Sequence, residues 1–125
     1  MRKRYLRIGV VAAILVGVAL LVVRLAQKVV VANESGKQIQ SLVITVAGSP
    51  PVTFRNIAPG STRTLRFFTE GEGGIAVRAT LADGTVVAGE DGYVTKHVYA
   101  ETKKFAIPAN GRVLYEGHPA DKPAR

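Results

Sequence analysis

The sequence predicts an all-β domain carried behind one N-terminal transmembrane helix. Three observations predict it. Residues 8–23 are sixteen in a row without a charge. Beyond residue 28 the apolar residues fall into short β-branched runs, broken by Gly, Pro, Asn and Asp about every ten residues. No apolar pattern of helical period follows the first segment. Seven to eight such strands, with no room for a large core, predict a β-sandwich of immunoglobulin- or fibronectin-like architecture, with a small barrel as the alternative closure.

The first element is "MRKRYLRIGVVAAILVGVALLVVRLAQK". At about 1.5 Å per residue, Ile8 to Val23 covers roughly 24 Å of a hydrocarbon layer about 30 Å thick. Spanning therefore draws in Tyr5 to Ala26, with the stems of Arg7 and Arg24 extended toward the headgroups. A secretory signal has an apolar stretch of about 7 to 15 residues, closely followed by small residues at a cleavage site. Arg24-Leu25-Ala26 places a large cation where a small residue is needed, and Val30-Val31-Ala32 lies well past the run and reads as strand. Residues 1–28 therefore read as a cytoplasmic stub and an uncleaved anchor. Arg2, Lys3, Arg4 and Arg7 on one side, against Arg24 and Lys28 on the other, place the N-terminus in the cytoplasm. The folded domain is then periplasmic or extracellular, on a bacterial inner membrane. Gly9, Ala13 and Gly17 recur every four residues and line one helical face, where a second transmembrane helix can approach closely.

The strands follow in order over residues 29–116. "KVVVAN" is turned by "NESGK"; "QIQSLVITVA" is closed by "GSPP"; "VTFRNI" leads through "APGS" into "TRTLRFFT"; and "EGEGG" opens "IAVRATLA". Asp83-Gly84 is a two-residue hairpin signal that sets Leu81 opposite Val86 and Ala79 opposite Ala88. "GYVTKHVYAE" is a further strand, and Asn110-Gly111 a second hairpin pairing Ile107 with Leu114. "GHPADKPAR", residues 117–125, has two prolines and no apolar pattern and reads as a flexible tail.

The anchor followed by "VVVANESGKQIQSLVITV", "FRNIAPGSTRTLRF" and "LADGTVVAGEDGYVT" resembles small bacterial single-pass membrane proteins with an immunoglobulin-like domain outside the membrane. That resemblance implies an architecture and no activity, and no functional residue is carried over from it.

The net charge of +8 belongs to the anchor rather than to the domain. Six of the seventeen basic residues lie before residue 29, and the remainder holds eleven basic against nine acidic side chains. With no basic helix, zinc-finger spacing or RNA-binding aromatic motif, nucleic acid is not an expected partner. The absence of cysteine excludes disulfides, thiol catalysis and thiolate metal sites. His97 and His118 have no second ligand at a metal-binding spacing, so neither metal nor cofactor is expected. No serine sits in a G-x-S-x-G elbow. "SGK" lacks the remainder of a phosphate loop, and "GEGG" and "GEDG" match no calcium loop and read as tight connections between strands. Asn33-Glu34-Ser35 is formally a glycosylation acceptor, and Asn33 reads as a turn residue.

Two stretches are candidate recognition surfaces. In "TRTLRFFT", Leu65 and Phe67 bury one face and leave Phe68 with Arg66 on the other, an aromatic beside an arginine as in interaction hot spots. In "GYVTKHVYAE", inward valines leave Tyr93, His97 and Tyr99 as an outward stripe. The expected function is non-enzymatic: a membrane-anchored interaction protein, an accessory or assembly subunit with a membrane-protein partner. The alternative is a tethered module that binds a small ligand or cell-envelope polymer through loops such as "EGEGG". An enzyme of unrecognised type, resting on His97, is the third reading.

Overall fold

The structure of the protein, a computed structural model, describes residues 2–68, 71–95 and 98–116. It opens with one helix, α1 (Arg2–Leu25), none of whose described residues is buried. Twenty-four residues make a rod of about 36 Å. Its length and composition are those of a membrane-crossing helix, and a signal sequence has the same properties.

The β-branched run at Val29–Val31 then changes the backbone to strand. Eight strands follow: β1 (Gln27–Asn33), β2 (Ile39–Val46), β3 (Val52–Ile57), β4 (Thr62–Phe67), β5 (Gly73–Leu81), β6 (Val86–Val94), β7 (Thr102–Ile107) and β8 (Leu114–Tyr115). Helix and first strand are separated by Ala26 alone, so Gln27, expected in the anchor, opens β1 ahead of "KVVVAN".

The strands form two four-stranded sheets, ordered β4-β1-β7-β8 and β3-β2-β5-β6. Val29, Val31, Phe105 and Ile107 of the first sheet join Leu42, Ile44, Ile75, Val77 and Val87 of the second in one apolar core. Neighbouring strands are antiparallel except β1 and β7, which run parallel. The β2–β3 hairpin stays within one sheet, where an immunoglobulin chain changes sheet between its second and third strands. A parallel bridge between Ala88 and Arg112, with Val113 N–H donating to Ala88 C=O at 3.3 Å, ties the β6 edge to the segment before β8.

Three local expectations are corrected. The Asp83-Gly84 hairpin pairs Ala79 with Val87 and Thr80 with Val86, one residue from the expected register. Leu81 N–H bonds to Thr85 C=O and Gly84 takes φ +85°, so the loop is three residues long and closes with a left-handed glycine. That slip puts Val87 rather than Ala88 into the core. The Asn110-Gly111 hairpin slips in the same way, pairing Ala106 with Leu114, with Gly111 at φ +86°. The third correction concerns "GYVTKHVYAE": only Gly92–Val94 is strand, as the end of β6, and the described residues from 95 to 101 lie outside any strand. "GEDG" is accordingly inside β6 and is no connection.

Candidate interaction surface

Chain direction assigns the domain two ends. β1 and β7 start, and β4 and β6 finish, at the end where α1 joins. The turns after β1, β3, β5 and β7 lie at the other end.

The helix joint is tightly bonded. Ala26 N–H donates to Val22 C=O at 3.1 Å, Ala100 N–H to Leu25 C=O at 2.9 Å, and Lys28 N–H to Glu101 C=O at 2.9 Å. Gln27 is 4% exposed, and its Nε2 donates to Val98 C=O at 2.9 Å. The buried Gln27 Oε1 has no hydrogen-bond partner among the described residues. Lys103, 5% exposed, occupies the inward face of β7 together with Phe105 and Ile107, and its ammonium reaches Glu101 at 2.6 Å. Strand periodicity carried the signal for both polar residues: 27, 29, 31 and 33 share one face, as do 103, 105 and 107.

Arg66 and Phe68 are brought together at this end. Arg66 is exposed near the end of β4, and Phe68, 52% exposed, follows the strand. With Val22, Val23, Ala26 and Phe67 they line a shallow cavity of about 160 Å³ between the helix and the edge of the first sheet. Leu65 and Phe67 pack against the core, as their alternation requires. Tyr93 and Tyr99 are 59% and 53% exposed. They form no strand stripe, because the chain leaves β6 after Val94. Tyr93 faces out because the register shifts between Gly73 and Ile75 of the partner strand, opposite a left-handed Gly92 at φ +67°; the bulge turns Val94 into the core. Tyr99 precedes the residue that bonds to the helix terminus. His97 lies outside the described residues, as does the tail from 117.

Gly9, Ala13 and Gly17 all lie exposed on α1, and a Cβ added at either glycine meets nothing within 4 Å. That face is open to a second helix.

The opposite end is closed by polar bonds. Asn33, 1% exposed, donates through Nδ2 to the carbonyls of Lys37, Ile57 and Ala58 at 2.7, 3.1 and 3.2 Å. Its Oδ1 accepts from Ser35 N–H at 3.1 Å and Ser35 Oγ at 2.6 Å. Asn33 is therefore a turn-fixing residue whose amide is fully engaged. Lys37 pairs with Asp83 across neighbouring turns, and its hydrogen bond, followed by that from Thr85 N–H, holds the Asp83 carboxyl well below the usual carboxylate range.

Sequence reading missed a second cleft. Gly89, whose Cβ would lie 3.1 Å from Val113 Cβ, lets the chain before β8 approach β6. Glu90, Asp91, Arg112 and Tyr115 line a cavity of about 280 Å³ there. The Tyr115 ring lies 4.9 Å from that of Phe105. Among the described residues no three His, Cys, Asp or Glu side chains gather in a group fit to hold a metal ion.

Fold and surface together define a class: a small β domain of two four-stranded sheets, joined directly to an N-terminal apolar helix that suits a membrane anchor or a signal sequence. No protein-family model matches the chain, and no curated protein matches it either. Among solved structures it is similar to a protein from Eubacterium rectale determined by NMR, with a TM-score of 0.59 at 13% identity over 77% of this chain and 93% of that one. That likeness concerns the fold.

Proposed function

We propose that the protein is a non-enzymatic, membrane-anchored interaction protein, an accessory or assembly subunit of a membrane protein complex. Its N-terminus is cytoplasmic, and its immunoglobulin-like domain lies in the periplasm or at the cell surface, as in the bacterial single-pass proteins it resembles. The observation that carries this reading is Tyr93, 59% exposed at the end of the domain where the helix joins. A partner embedded in the same membrane meets that end first. The open face of Gly9, Ala13 and Gly17 supports it with a second contact inside the bilayer.

The joint supports retention of the anchor. Cleavage after Ala32 would remove Val29 and Val31 from the core along with most of a central strand. Cleavage after Ala26 would remove the Leu25 C=O that accepts from Ala100 N–H at the joint.

The test is to extract tagged full-length protein from membranes in mild detergent and to take native and denaturing masses. A stoichiometric membrane partner with Met1 or its neighbour present is expected, and Gly9→Leu with Gly17→Leu should release it. A lone chain refutes the subunit reading. A mass lacking the first segment refutes the anchor. The second reading, a tethered binding module for a small ligand or envelope polymer, is favoured by the charged cleft between β6 and β8 rather than by "EGEGG". It requires saturable binding that raises the melting temperature of the full chain.

A further inference from the structure

We propose that one side of the helix-proximal end is a lipid-contact surface. Phe68 seats in the interface of the bilayer that α1 crosses, and Arg66 bonds a phospholipid headgroup phosphate, which fixes the tilt of the domain. The proposal rests on the reading of α1 as a retained anchor.

Depth follows from helix arithmetic. The charge-free run from Ile8 to Val23 is too short for a layer of about 30 Å, so the hydrocarbon boundary falls near Ala26, the far limit of a span from Tyr5. Val22 and Val23 then lie within the apolar layer. Phe67 and Phe68 share a cavity with those two valines and with Ala26, so β4 ends at the level of the boundary. The joint leaves the domain little freedom to lift away. One residue separates helix from strand, β1 lies between β4 and β7, and the Ala100–Leu25 and Lys28–Glu101 bonds brace the junction.

Chemistry matches depth. Phe68 has more than half its surface uncovered although it stands beside the apolar helix, an arrangement that water penalises and lipid relieves. Tyr99, next to the bond that caps the helix, sits where aromatic belts form. Arg24, Lys28 and Arg66 supply cations around the exit, and a guanidinium binds phosphate in a bidentate fashion. The described carboxylates toward this end are Glu72, in the loop before β5, Glu101, which Lys103 holds, and Glu90, Asp91 and Glu116, which lie on and beside β6 and β8, away from β4.

The chain contains no tryptophan, so Phe68→Trp installs a single fluorophore. The full-length variant is reconstituted into phospholipid vesicles, its mass is checked for the N-terminal segment, and emission is compared with Val86→Trp at the opposite end. At 68, blue-shifted emission quenched by lipids brominated near the head of the acyl chain is expected, with water-like, unquenched emission at 86. Arg66→Glu in the Phe68→Trp background should return the emission toward water, and Arg66→Lys should largely retain the shift. Water-like emission at 68 with the N-terminal segment intact overturns the lipid contact and leaves the anchor standing. Equal quenching at both positions overturns it too, since the domain would then lie on its side. Loss of the first segment removes the anchor reading itself. As the chain has no cysteine, Phe68→Cys carrying a spin label, with Arg66 kept, gives a second depth measurement: a label accessible only to water-soluble relaxants overturns the proposal.

Discussion

Removing the Asn33 side chain should unlock the end of the domain remote from the helix. Asn33→Ala deletes two donated hydrogen bonds from Nδ2, shared among three carbonyls, and two accepted by Oδ1. At a net value near 1 kcal/mol per bond the ceiling is about 4 kcal/mol. The Lys37 and Ala58 carbonyls are only partly buried and regain water, whereas the bonds to Ile57 C=O and from Ser35 are buried, so about 3 kcal/mol is the expected loss. For a domain of this size that lowers the melting temperature by roughly 12–24 °C. Thermal unfolding of the full chain, followed by near-ultraviolet dichroism, reads the packed Tyr115–Phe105 pair of the domain, Tyr5 being the one tyrosine of the helix. Ser35→Ala should cost about 1–2 kcal/mol, and the double variant should fall short of additivity by about 1 kcal/mol, because both changes remove the same bonds. A loss below about 1 kcal/mol for Asn33→Ala, or full additivity, would refute the assignment of Asn33 as the knot of this end.

Two further predictions concern one residue at each end. The Asp83 carboxyl is lowered in the folded state, so its stabilising contribution is complete above the ordinary carboxylate value near 3.9 and is lost as pH falls through the folded value. Melting temperatures recorded between pH 6 and pH 2 should therefore converge for wild type and Asp83→Asn in the most acid samples; a constant gap down to pH 2 contradicts the pairing with Lys37. Ala100 holds φ +57°, a conformation that strains a residue bearing a Cβ by roughly 1–2 kcal/mol. Ala100→Gly should raise stability by about 0.5 kcal/mol after the glycine entropy term, against the usual direction of that exchange, and an unfolding free energy from denaturant titration lowered by more than about 1 kcal/mol refutes the strain.

The strands were legible where β-branched runs stood alone, as in "KVVVAN", because alternation along such a run determines which face is buried. Both hairpins were legible in position and misread in register by one residue, for a single reason: Gly84 and Gly111 each close a longer loop in the left-handed conformation instead of occupying a two-residue turn. β6 was split in the sequence reading because Gly89 and Gly92 looked like punctuation. Their causes are tertiary, the approach of Val113 to one and a bulge at the other, and no local pattern carries them. Phe68 was picked out by alternation in β4, but its neighbourhood with Val22 and Val23 depends on how the helix meets the sheet, which no spacing encodes.

The two ends of the domain differ in how completely their buried polar groups are satisfied. At the remote end Asn33, Ser35 and the Lys37–Asp83 pair answer one another. The helix end carries a buried Gln27 Oε1 without a partner among the described residues, a strained Ala100, and exposed Phe68, Tyr93 and Tyr99. Unsatisfied and strained groups lower stability in isolation, and folded chains hold them chiefly where a ligand, a partner or a membrane makes use of them. A domain whose sole task was to fold would gain by exchanging these features for ordinary ones. Their gathering around the helix exit supports the proposal that the working surface of this protein is the one beside the helix.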